Sequence, residues 1–257
     1  MDKKRLNTSK KKSFFHRMVT LLILSVILFS TYKVVDIFYG YYTNREVLAE
    51  AQSIYDSSVP DEIVTHDKKQ IRSQFEELLQ INQDIVGWIT IDNTNVDYPV
   101  LQAKDNDYYL FRNYKKEETR AGSLFMDFRN DSSEIPRNTI VYGHNMRDGS
   151  MFGQLDKFLD EEFFLANQTF YYDTLYEKYD VEIISVYLST TDFYYIETDF
   201  DTDDDYLHFL QEIQQKSQFD TERNLTAEDN ILTLSTCDST LDSEEGRLVV
   251  HARIVER

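Results

Sequence analysis

One stretch constrains this chain before any other: an apolar run, MVTLLILSVILFSTY, over Met18–Tyr32, placed directly behind a basic tail. Seven basic side chains (Lys3, Lys4, Arg5, Lys10, Lys11, Lys12 and Arg17) precede it, against the single acid Asp2. As a helix the 15 residues span ~22 Å, short of a ~30 Å hydrocarbon core. Val34, Val35, Ile37, Phe38 and Tyr39 extend the run, with Lys33 able to snorkel and Asp36 near the interface. Tyr39, Tyr41 and Tyr42 fit an interfacial aromatic belt. A cleaved signal peptide would need small residues after the run, yet the first alanine is Ala49. The expectation is an uncleaved anchor over 18–42, with tail 1–17 in the cytoplasm and the rest outside the cell.

Beyond the tail the charge reverses. The whole chain has 27 basic and 46 acidic residues, so 20 and 45 remain after the tail is set aside. So acidic a body is repelled by phosphate backbones, which argues against nucleic-acid binding. A single cysteine excludes internal disulfides and multi-cysteine metal sites.

Two helices are expected in a linker spanning 43–85: Asn44–Asp56, and Asp67–Gln80 with Ile71, Phe75, Leu78 and Leu79 on one face. From 86 to 257 the pattern turns to short β-rich runs: Trp88–Ile91, Val96–Leu101, Ser123–Phe128, Asn138–Tyr142, Phe170–Tyr172, Tyr179–Leu188, Ile231–Thr236 and Arg247–Val255. Helices are expected at Met151–Phe164 and at Asp203–Lys216, the latter with Tyr206, Phe209, Leu210 and Ile213 inward. This is a mostly β domain, a closed barrel with peripheral helices, behind one transmembrane helix.

Chemistry concentrates near the end of the chain. The strand ILTLST ends at Cys237, and after an Asp/Ser/Glu-rich loop the next strand opens at Arg247. If the two are hairpin neighbours, thiol and guanidinium meet, and a cation beside a thiol favours the nucleophilic thiolate. A thiol nucleophile also needs an acid/base partner. His16 lies in the tail, His66 in the linker and His208 on an acidic helix face. His251 is four residues from Arg247, ~13 Å along the strand. That leaves His144, which follows a strand end, where a scaffold presents reactive groups.

Several segments resemble one family, the class B sortases: TLSTC (233–237), the arginine ten residues later, NTIVYGHNMRDGSMFGQL (138–155), NVDYPVLQAKDNDYYL (95–110) and GSLFMDFRN (122–130). Several motifs in consistent order are far more specific than one short pattern. The resemblance implies a sortase-like closed β-barrel and a cysteine transpeptidase. Such an enzyme cleaves a C-terminal sorting signal of secreted proteins, holds them as a thioester and passes them to a peptidoglycan cross-bridge or pilin amine. Cys237 is the implied nucleophile, His144 the acid/base and Arg247 the substrate or oxyanion clamp. Asn106, Leu110, Thr191 and Tyr195 are implied to line the substrate groove. Ser235, two residues before the thiol, is expected on its side of the strand.

The resemblance implies no cofactor or metal. Asp199, Asp201, Asp203, Asp204 and Asp205 crowd a helix start, where acids are favourable without an ion, and no EF-hand spacing accompanies them. A monomer is expected. Two other functions use the same features differently: an anchored extracellular cysteine protease, which hydrolyses instead of transferring, and a non-catalytic wall scaffold, in which the thiol is dispensable.

Overall fold

The computed structural model describes residues 2–57, 70–190, 192–221, 223–237 and 245–257, with side chains from residue 14 onward. Eight strands form a closed barrel: β1 (Ile85–Thr90), β2 (Asp97–Leu101), β3 (Leu124–Met126), β4 (Asn138–Tyr142), β5 (Thr169–Thr174), β6 (Lys178–Ser189), β7 (Ile231–Cys237) and β8 (Arg247–Glu256). Their order around the barrel is β1-β2-β3-β4-β7-β8-β6-β5. Closure pairs each of these eight strands on both sides. The expected strands all form, most with ends displaced by a residue or two.

Pairing is antiparallel except at two seams, β2 with β3 and β4 with β7. A parallel seam needs a crossover. For β4–β7 the crossover is everything from residue 143 to 230, including β5 and β6. Ile89, Val100, Leu124, Val141, Val186, Leu232 and Val250 help fill the main core. The residues between them point to the other face yet are mostly buried too, under the smaller cores outside the barrel, so these strands are covered on both sides.

Among the described residues there are four α-helices: α1 (Asp2–Ser57), α2 (Ser73–Ile81), α3 (Glu161–Ala166) and α4 (Asp203–Gln215). The compact body begins at Asn44, and residues 1–43 form a unit of their own. Within the body, the last turns of α1 and all of α2 close a second core, where Ala51, Phe75 and Leu78 meet Ile85, Trp88 and Leu101. The Tyr55 ring stacks on Trp88 at 4.2 Å, and its hydroxyl donates to Asp173, which also pairs with Arg72 at 3.0 Å. Burial and then the neighbouring Asp173 charge hold the Tyr55 phenol far above its usual pKa, so it stays a donor.

Two expectations change. The described helix α2 starts only at Ser73, and Ile71, ahead of it, is exposed. Residues 67–69 of the expected helix lie outside the described residues. Met151–Phe164 is not one helix: Met151 pairs with Asn145 in an isolated bridge, a 3-10 turn covers Leu155–Leu159, and α3 follows. Asp160 divides them, its carboxylate accepting from the Phe163 N–H as an N-cap. The inward face of α4 is Tyr206, Phe209, Leu210 and Ile213, as its spacing predicts.

Candidate active site

β7 and β8 pair residue for residue from Ile231↔Arg253 to Cys237↔Arg247. The last residue of β7 therefore lies opposite the first of β8. β8 continues the row onto β6, where Arg247 pairs with Ser189. Cys237 is exposed and Arg247 half-buried, its Nη1 donating to the Gly246 carbonyl at 2.8 Å.

On its other side β7 runs parallel to β4, with Tyr142 level with Ser235 and the Gly143 N–H donating to the Ser235 carbonyl at 3.2 Å. His144 thus follows β4 as Cys237 follows Ser235. The next residue, Asn145, donates its Nδ2 to the Cys237 carbonyl at 3.0 Å, tying the histidine loop to the thiol's backbone. A Cβ on Gly143 would lie 2.5 Å from the Leu124 side chain and 2.8 Å from Phe152, so only glycine lets the chain leave β4 along this path.

His144 is half-buried, and its Nε2 lies 2.8 Å from the Leu110 carbonyl. A carbonyl only accepts, so Nε2 carries a proton, which leaves Nδ1 as the nitrogen able to exchange one. The Phe111 ring packs against the imidazole at 5.6 Å. The Leu110 carbonyl is itself positioned by Gly122, at φ +60°, where a Cβ would come within 2.4 Å of that oxygen.

The remaining expected residues divide. Ser235 is buried, and its Oγ is 2.8 Å from the Tyr195 hydroxyl. Burial raises the Tyr195 phenol above its usual pKa. The Ser235 hydrogen bond and the Arg247 charge oppose the rise, and Cys237 adds to it. Tyr195 is therefore within electrostatic reach of both thiol and guanidinium. Leu110 contributes through its backbone. Asn106 is engaged at both ends of its amide, Nδ2 donating to Asp127 at 3.1 Å and Oδ1 accepting from the Phe128 N–H at 3.0 Å. Thr191 lies outside the described residues.

Of the other histidines, His251 is fully buried, with Nε2 2.8 Å from the Tyr187 hydroxyl and Nδ1 2.8 Å from Thr233 Oγ1. Burial pushes it down to about 3, so it is a neutral core imidazole at physiological pH. His208 is exposed beside Glu212, and His66 lies outside the described residues. In the aspartate run, Thr202 caps α4 by accepting from the Asp205 N–H at 3.1 Å, and Arg137 pairs with Asp203.

Asn145, Asp127, Arg129 and Tyr142 also belong to the site region, although the sequence assigned them no role. Each lies inside a segment that carries the family resemblance. What would single out Asp127 is a carboxylate immediately after an apolar strand, with a guanidinium two residues on.

The Sortase domain family matches residues 89–255. Sortase B of Listeria monocytogenes is 44% identical over 248 residues, covering 96% of this chain and 100% of that one. Sortase B of Staphylococcus aureus is 37% identical over 242 residues, covering 94% and 97%. Among solved structures, sortase B of Bacillus anthracis superposes with a TM-score of 0.78 at 58% identity, covering 86% of this chain and all of that one. A Staphylococcus aureus sortase B–substrate complex superposes with a TM-score of 0.75 at 38% identity, covering 84% and 97%.

Proposed function

The chain belongs to the class B sortases, a family of cysteine transpeptidases, and from that premise we propose that it cleaves a C-terminal sorting signal on secreted proteins and transfers them to an amine. The observation that carries the reading is the strand register, with Cys237 opposite Arg247 on one side of β7 and the His144 loop tied to the Cys237 carbonyl on the other.

The Cys237 thiol passes its proton to His144 Nδ1 as Sγ attacks the scissile carbonyl, and the tetrahedral intermediate collapses to a thioester as the C–N bond breaks. His144 gives the departing nitrogen a proton, then takes one from the incoming amine, which attacks the thioester and releases the thiolate. Arg247 donates to the substrate carbonyl or the developing oxyanion. The acceptor is a peptidoglycan cross-bridge or pilin amine.

Product analysis tests this reading. The chain is incubated with a panel of sorting-signal peptides, with and without a glycine oligopeptide as amine, and the products are weighed by mass spectrometry. The expected result is an amide-linked product that requires the amine. Hydrolysed product alone, in both conditions, would show a protease instead. In the same assay Arg247→Lys keeps the charge but loses the planar fork of donors, and turnover should fall about 100-fold. Near-normal turnover would show that the charge alone suffices.

The helix from Phe14 to Ser57 is long and apolar enough to cross a membrane by length and composition. We propose that it does so, with residues 1–17 cytoplasmic and the barrel outside, the orientation that the basic tail favours. Expressed in its host, the chain should stay in the membrane fraction at full length, and external protease should remove the barrel from intact protoplasts. A mature N-terminus beyond residue 30 would overturn the anchor.

A further inference from the structure

We propose that Asp127 and Arg129 form a clasp that fixes the spacing between the two walls flanking Cys237 and His144, and are positioning residues for the sorting-signal peptide. The inference rests on the transpeptidase reading above.

Asp127 follows β3, and its side chain is fully buried. Its Oδ1 accepts from Arg129 Nε at 2.8 Å and its Oδ2 from Arg129 Nη2 at 2.8 Å, a two-pronged pair. Oδ2 also accepts from the Tyr142 hydroxyl at 2.8 Å and from Asn106 Nδ2 at 3.1 Å. Burial alone would raise the carboxyl's pKa, but the Arg129 hydrogen bonds, with that from Tyr142, hold it below the usual range. This is no surface ion pair of negligible worth: a buried carboxylate stripped of its partners is costly.

What marks the pair as more than structural is where its bonds lead. On one side, Asn106 belongs to the loop entering the 3-10 turn Tyr108–Phe111, whose Leu110 carbonyl holds the His144 imidazole. Tyr142 ends β4, two residues before His144. On the other side, Arg129 turns two further donors to the 194–196 segment: Nη1 to the Tyr194 hydroxyl at 2.8 Å and Nη2 to the Ile196 carbonyl at 2.9 Å. Between those two lies Tyr195, bonded to Ser235 two residues from the thiol. One carboxylate and one guanidinium therefore join the wall that carries the imidazole to the segment that reaches the thiol strand. A peptide seated between them meets a spacing set by this clasp. Lysine cannot replace it, because one ammonium cannot bridge two carboxylate oxygens and also reach two acceptors across the gap.

The full-length chain in detergent is assayed with the internally quenched sorting-signal peptide that the wild type cleaves fastest. Arg129→Lys should raise KM about tenfold, the effect of losing one to two charge-assisted hydrogen bonds, and change kcat per alkylatable thiol less than about threefold. Tyr194→Phe removes one exposed link and should raise KM about threefold. The double variant should match Arg129→Lys alone, since the two residues act as one unit. A purely structural role would lower thermal stability and the active fraction but leave KM unchanged. An unchanged KM in folded Arg129→Lys, or in Tyr194→Phe should Arg129→Lys not fold, overturns the clasp. If the wild type cleaves no peptide, the transpeptidase reading fails on its own account. The clasp is then read from hydrogen exchange of the 193–197 amides: faster exchange in Arg129→Lys or Tyr194→Phe supports it, and unchanged exchange overturns it.

Discussion

Cys237→Ala leaves no acyl-enzyme at all, and transpeptidation falls to the uncatalysed background. The expectation is absolute because the chain contains one cysteine, so no second thiol can take over. Because Cys237 is exposed at the end of β7, alanine removes no core contact and creates no cavity. The fold and thermal midpoint should therefore stay those of the wild type. The measurement is intact-protein mass after quenching with substrate: an adduct of the acyl fragment's mass on wild type, none on the variant. An adduct on Cys237→Ala would place the nucleophile elsewhere. Residual turnover without an adduct would mean that a water, not the thiol, attacks the peptide.

His144→Ala is the second large effect. The thiol remains, but the leaving nitrogen departs unprotonated and the incoming amine arrives protonated, so kcat should fall about 10²- to 10⁴-fold. The loss should be visible in both acylation and transfer, since one imidazole serves both. The double variant should be no worse than Cys237→Ala alone, because members of one catalytic unit are strongly non-additive. The comparison variant is His208→Ala, whose exposed ring lies beside Glu212 and whose loss should leave turnover unchanged. His251→Ala is a poor comparison. It would empty a buried core position and strip the buried Tyr187 hydroxyl of its His251 partner, at about 1–3 kcal/mol for that bond, while Thr233 keeps its bond to Asn138, and unfolding would mimic lost catalysis. Should His144→Ala keep most of the wild-type rate, the acid/base assignment is wrong.

Much of this arrangement was legible in the amino-acid order. Strand periodicity located β7 and β8, and a hairpin between them suffices to bring Cys237 to Arg247, because antiparallel register needs no long-range information. The inward face of α4 was equally legible, since its four apolar residues follow helical spacing. Hidden were relations fixed by tertiary contacts. Nothing local in Asn106 says that its amide turns inward to a carboxylate 21 residues on, nor does Leu110 announce that its backbone, not its side chain, meets His144. Ser235 is buried beside the Tyr195 hydroxyl, a partner that strand alternation could not supply. The 151–164 stretch misled because its apolar spacing suits one helix, whereas the Asn145 bridge and the Asp160 cap divide it.

The parallel seam between β4 and β7 also bears on how the chain comes to be folded. Its partners are 93 residues apart, from Tyr142 to Ser235. Closing a loop of that length costs about 4 kcal/mol of chain entropy before any contact repays it, and contacts so distant along the chain slow folding. A chain made from its N-terminus has β1 to β6 in hand before β7 exists. The seam that brings the histidine loop to the thiol is thus among the last to close. Until then the sole thiol has only its hairpin partner β8 beside it, with no imidazole at hand and no second cysteine with which to form a wrong bond.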